Sequence, residues 1–147
     1  MLDKWDERFL ALAWQIGTWS KDPSRKLGAV AIGQNRQILA TGYNGFPRGI
    51  ADDEDRYNVR EIKYKYVVHA EMNCIYNATE NGVSLLDSTI YVHGLPVCSD
   101  CAKGLIQVGV ERVVAFSKDT PPQWVESTNF TKQLFEEADI HYDCIEV

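Results

Sequence analysis

Four residues in two short stretches have types and spacing that could do chemistry. His69 and Glu71 lie in HAEMNCIYNA, and Cys98 and Cys101 form a C-x-x-C in CSDC. Alone, the C-x-x-C reads as a zinc half-site, a redox pair or chance. Glu71 alone is the kind of residue that the first turn of a helix recruits to complement its dipole. Taken together, one imidazole and two thiols make three zinc ligands, with His69 and the C-x-x-C each opening a predicted helix. Helix N-termini favour thiolate, and zinc requires deprotonated sulfur, so both effects act in the same direction. A structural zinc site is closed by four protein ligands, whereas a catalytic one keeps three and leaves a position for water. The candidates for a fourth ligand are Cys74, His93, His141 and Cys144. Cys74 follows His69 by about 1.4 helical turns and points away from it, as a buried core thiol would. His93 either lines the pocket or satisfies a backbone carbonyl. His141 and Cys144 belong to a terminal strand and read as structural. The expectation is an open site with three ligands. Glu71 is too close in sequence to His69 to ligate easily beside it.

These residues need elements to hold them. Trp5, Phe9, Leu12, Ile16 and Trp19 recur at helical spacing and predict an amphipathic helix with a core-facing stripe, ending before KDPSRK. LGAVAIG and QILATGY predict two strands joined by a short connection at Gln34-Asn35-Arg36. The following two dozen residues are polar and broken by glycine and proline. They read as a long loop with a helical turn, its acidic run Asp52 to Asp55 a solvated surface. A helix opens at His69 and stops near Asn81-Gly82. STIYVHG is a strand, SDCAKGLIQVG a helix, and ERVVAFS a strand. TNFTKQLFEEA is a helix capped by Thr128 or Asn129, and IHYDCIEV is a final strand. The order α-β-β-α-β-α-β-α-β predicts an α/β protein whose sheet carries helices on both faces.

The chain has 147 residues, 45% hydrophobic and 24% charged. That composition predicts one soluble domain spanning residues 1–147. A formal net charge of -6 argues against nucleic acid as a partner, since such binding relies on many Lys and Arg contacts to phosphate. No apolar run is long enough to span a membrane. Asp3, Asp6 and Glu7 stand where a secretory signal would be basic and then apolar. Cys74, Cys98, Cys101 and Cys144 are therefore expected as ligands or free thiols, and the compartment as cytoplasmic.

The stretches KDPSRKLGAVAI, TGYNGFPRG, HAEMNCIYNA and CSDCAKGLIQVGVERVV resemble the deoxycytidylate (dCMP) deaminases of the cytidine deaminase superfamily. H-x-E followed by P-C-x-x-C is the signature of zinc nucleobase deaminases, whose glutamate works as general acid and base. The resemblance implies a three-layer α/β/α cytidine deaminase-like fold with a central mixed sheet of about five strands. It implies one zinc ion per subunit on His69, Cys98 and Cys101, with Glu71 as the catalytic proton carrier for conversion of dCMP to dUMP and ammonia. Asn44 would meet the sugar hydroxyl, Ala70 the pyrimidine edge, and Arg25, Lys26 and Ser24 the phosphate. Family members are hexamers, activated by dCTP and inhibited by dTTP with Mg2+. Gly45, Phe46 and Arg48 are the regulatory candidates. Two departures from the pattern stand out. Pro96-Val97-Cys98 carries one residue more than P-C. Residues 45–68 contain no cysteine or histidine, so a second zinc site in the long loop is not expected. The competing readings are a free cytidine deaminase, a nucleic-acid deaminase and a structural zinc protein.

Overall fold

In the computed structural model, which describes residues 2–147, a five-stranded sheet has the order β2-β1-β3-β4-β5. The strands are β1 (Gly28–Ile32), β2 (Ile38–Tyr43), β3 (Thr89–His93), β4 (Arg112–Ser117) and β5 (His141–Glu146). β1 runs antiparallel to β2 and β3, whereas β3, β4 and β5 are parallel. The predicted mixed sheet is thus observed. Every parallel connection needs a crossover. α5 (Ser99–Gln107) supplies one and α6 (Val125–Glu137) the other.

Both faces of the sheet are covered because side chains alternate along its strands. Val30, Tyr91 and Val114 face α1 (Lys4–Gly17) and pack on Phe9, Leu10, Ala13 and Ile16. Ala29, Ala31, Ile90, Val92, Val113 and Ala115 face the other way. They meet Cys74 and Ile75 of α4 (Ala70–Glu80), Leu105 of α5 and Phe135 of α6. The result is the α/β/α layering expected.

The stripe on α1 differs from the predicted one at its end. The helix stops at Gly17, where α1 passes close to β1: a Cβ on Gly17 would lie 3.0 Å from the Gly28 nitrogen. Trp19 falls beyond that stop and is exposed, whereas Leu10 and Ala13 are buried on the inner face. α6 also starts earlier than predicted. A 3-10 turn, Pro122–Trp124, leads into it at Val125. Thr128 and Asn129 therefore sit inside the helix, and the Thr128 hydroxyl donates to the Val125 carbonyl. The polar stretch after β2 contains two short helices, α2 (Glu54–Asn58) and α3 (Arg60–Tyr66). Among the described residues, no helix is long and apolar enough to cross a membrane.

Two features aim α4 at its task. Gly42 of β2 has no side chain because α4 lies directly on it: a Cβ there would be 2.6 Å from the Ala70 carbonyl oxygen. The Asn73 and Asn77 amides donate to the Tyr43 and Thr41 carbonyls, each at 2.8 Å. The start of α4 is thus pinned to the edge strand by packing and by hydrogen bonds.

Candidate active site

β3 ends at His93, and the chain then turns through Gly94-Leu95-Pro96-Val97 into α5, whose N-cap is Cys98. The extra residue of the Pro96-Val97-Cys98 segment has a defined place. Val97 is fully buried, and its N–H donates to the Tyr142 hydroxyl at 3.1 Å. The insertion is absorbed by the core, and the cysteines keep their position at the helix start. His69 is likewise the N-cap of α4.

The two helix starts meet. His69 Nδ1 lies 3.4 Å from Cys98 Sγ and 3.4 Å from Cys101 Sγ. All three donor atoms lie within 4.8 Å of one another. A tetrahedral zinc with ordinary Zn–N and Zn–S bonds would separate nitrogen from sulfur by about 3.5 Å. The donor set and its spacing therefore fit zinc. Among the described residues, no fourth His, Cys, Asp or Glu joins this cluster. Cys74 is a fully buried core thiol, pushed up to about 12 by burial and by the neighbouring Glu71. His141 and Cys144 are on β5. His93 lines no part of the pocket; its ring stacks on Phe116, centroids 5.1 Å apart, on the face that carries α1.

The electrostatics of the cluster favour an anionic sulfur at Cys98. The Cys101 thiol donates to Cys98, and despite burial this bond, together with His69, brings Cys98 down to about 4. Cys101, bonded to that sulfur and buried, is pushed upward. Glu71 sits one position past Ala70, inside the first turn of α4, and is only 4% exposed. Burial first, then the charge of Cys98, raises its carboxyl to about 7, against the opposing pull of His69.

Glu71, His69 and Cys98 line one cleft. Leu27, Val92, Leu95 and Pro96 add apolar lining, and Asn44 borders the same space. Arg25, Arg60 and Lys63 line it too, with Asp22, Ser24, Tyr64 and Trp124.

Asn44 is 3% exposed. Its Oδ1 accepts the Leu27 N–H at 2.8 Å, and its Nδ2 donates to the Arg25 carbonyl at 3.0 Å and to Asp22 at 3.4 Å. Both amide hydrogens are used, and a lone pair of Oδ1 remains for a ligand hydroxyl. Ser24 and Arg25 line the cleft as expected, and Arg25 donates to the Gly94 carbonyl at 3.2 Å. Lys26 does not line it: its ammonium turns to the Ser20 carbonyl. Ala70 is fully buried at the helix start between His69 and Glu71. Gly45, Phe46 and Arg48 lie outside the cleft. Gly45 bridges to Val68, Phe46 stacks on Tyr57 with centroids 4.0 Å apart, and Arg48 donates to Asn77 at 2.7 Å.

Several lining residues were not anticipated. Asp22 is buried and accepts from the Lys63 ammonium at 2.8 Å and from the Ser24 N–H at 2.9 Å. Burial alone would raise its carboxyl, but these bonds outweigh that and hold it below the usual carboxylate range. Arg60, Lys63 and Tyr64 stand at i, i+3 and i+4 of α3, a helical spacing visible in the sequence, but within a segment with no apolar periodicity to mark it.

A paired His/Cys/Cys cluster with a buried carboxylate beside it, on an α/β/α sheet, is the arrangement of a zinc-dependent hydrolytic deaminase. The sequence profile of the cytidine and deoxycytidylate deaminase zinc-binding region matches residues 3–117. The chain is 35% identical over 144 residues to the deoxycytidylate deaminase of Mus musculus, covering 95% of this chain and 78% of that one. It is 37% identical over 142 residues to an uncharacterized deaminase of the luxG 3' region in Aliivibrio fischeri, covering 95% and 92%. In fold it is similar to the dCMP deaminase of cyanophage S-TIM5 in complex with dCMP and dUMP, with a TM-score of 0.78, 23% identity and 99% of both chains covered. The chain belongs to the cytidine and deoxycytidylate deaminase family.

Proposed function

We propose that this protein hydrolyses dCMP to dUMP and ammonia, with His69, Cys98 and Cys101 as the zinc ligands and Glu71 as the proton carrier. The observation that carries the reading is the lining of one cleft. A buried carboxylate beside a metal-binding cluster shares it with Arg25, Arg60 and Lys63. The first group suits a cytosine ring and the second its 5'-phosphate. The deoxycytidylate deaminases among the relatives support the same substrate.

Zinc, when bound, supplies Lewis acidity that brings water within reach of deprotonation near neutral pH. Glu71 takes that proton, delivers it to N3 as the C4–O bond forms, and carries a second proton to the amine as the C4–N bond breaks. Water thus replaces the amino group, which leaves as ammonia. Its burial suits Glu71 to both roles, because a carboxyl raised to about 7 takes up and releases protons near neutrality. Asn44 accepts from a sugar hydroxyl through Oδ1, Ala70 presents the helix start to the pyrimidine edge, and Ser24 joins the phosphate-binding group. Lys26 holds the loop from outside. Regulation by dCTP, and by dTTP with Mg2+, through the surface segment of Gly45, Phe46 and Arg48 in a homo-hexamer extends the proposal. The separation of that segment from the cleft is consistent with a second site.

The test compares turnover of dCMP, deoxycytidine and a cytosine-containing oligonucleotide. Preference for dCMP is expected, whereas preference for the nucleoside or the oligonucleotide would defeat the substrate assignment.

A further inference from the structure

We propose that Tyr64 and Trp124 are specificity-determining residues, which convert binding of the substrate's phosphate into closure of the cleft over its base. The inference rests on the monophosphate reading above and deepens it. The Tyr64 and Trp124 rings meet edge to face across the cleft side, centroids 5.7 Å apart. Trp124 in turn stands edge-on to His69 at 6.1 Å. The indole thus bridges Tyr64 and His69, and both Tyr64 and Trp124 line the cleft.

Tyr64 is the chain neighbour of Lys63, and both belong to α3, a helix with no buried residue. Such a segment has little core of its own, and the few contacts its side chains make set its position. Lys63 supplies two of these. Its ammonium reaches Asp22 at 2.8 Å and the Ser24 hydroxyl at 3.0 Å. An ammonium has three donors, so one N–H remains for a phosphate oxygen in the same cleft. A nucleotide therefore adds a third anchor to α3 through Lys63, which holds Tyr64 in its contact with Trp124 and keeps the cleft closed. A nucleoside presents the same base and leaves that anchor unmade. Binding energy gathered at the phosphate is in this way used at the base, where it appears in kcat and not only in KM.

The experiment measures kcat and KM on dCMP and on deoxycytidine for wild type, Tyr64→Ala, Tyr64→Phe, Lys63→Ala and the Lys63→Ala/Tyr64→Ala double variant. Tyr64 is 42% exposed, so its truncation leaves the core intact. Tyr64→Ala is expected to lower kcat on dCMP about tenfold but kcat on deoxycytidine less than about twofold, with Tyr64→Phe restoring the dCMP value. The double variant should lose little more kcat than either single one, because both act through one closure. Equal losses on both substrates, a loss confined to KM, or factors that multiply in the double variant would overturn the proposal while leaving the substrate assignment standing. A wild type that does not prefer dCMP would overturn the assignment and the proposal with it.

Discussion

Gly42 lies so close beneath Ala70 that a Cβ on it would stand 2.6 Å from the Ala70 carbonyl oxygen. That oxygen belongs to the first residue of the helix whose start carries His69 and Glu71. Gly42→Ala must push α4 away from β2 or strain its first turn. The expected cost is about 1–3 kcal/mol of stability, as for other overpacked sites. Activity should fall further than this cost implies, since Glu71 moves with the helix. Urea unfolding and a dCMP assay at a temperature where the variant remains folded check both. Full activity in Gly42→Ala would show that the contact does not position the site.

The His69, Cys98 and Cys101 cluster joins the starts of α4 and α5, so zinc on it should link metal and fold. His69→Ala and Cys98→Ser are each expected to purify with far less than one zinc per chain. Chelation of wild type should lower its Tm, and added zinc should restore it by mass action. Metal analysis and thermal scans give the readouts. An unchanged zinc content in His69→Ala would remove that residue from the ligand set.

Asn44 ties Leu27, Arg25 and Asp22 together from a buried position. Asn44→Ala removes that partner from the Leu27 N–H and the Arg25 carbonyl. The expectation is a stability loss of about 1–3 kcal/mol and a fall in kcat/KM on dCMP larger than the stability loss explains. Kinetics well below the variant's Tm separate the two contributions.

Part of the acid sensitivity should trace to the opposite face of the sheet. Burial would raise the Asp6 carboxyl, but hydrogen bonds from Arg112, Tyr91 and the Asp3 N–H overcome it and hold Asp6 down to about 2, from a reference of 3.8. A folded-state value below the unfolded one means that the stabilisation is fully present above about pH 4 and is lost as pH falls toward 2. Its size is about 2 kcal/mol. Asp6→Asn should be less stable than wild type at neutral pH and should show a shallower loss between pH 4 and 2. Parallel pH profiles for the two proteins would contradict this.

How much of this was legible in the sequence follows from how local each signal is. His69, Glu71, Cys98 and Cys101 were readable because their spacing fixes them at two helix starts, and the strand order then brings those starts together. The sheet was readable from short apolar runs such as LGAVAIG, whose strand is buried throughout. The position of Trp19 was not, because the end of α1 is set by the approach of Gly17 to Gly28, a tertiary contact. Asp22, Lys63 and Trp124 were missed for a related reason. They are separated in the chain, and the short helix carrying Lys63 has no apolar stripe. Lys26 was a phosphate candidate by the resemblance and its place just before the first strand, but its side chain turns to Ser20.

The central claim is that Glu71 moves the protons of a zinc-dependent hydrolysis, and Glu71→Gln tests it most directly. The amide keeps the shape and cannot carry a proton. The account predicts zinc retained at about one ion per chain and kcat on dCMP lowered by about two to four orders of magnitude. Turnover within about tenfold of wild type at full zinc content would contradict it.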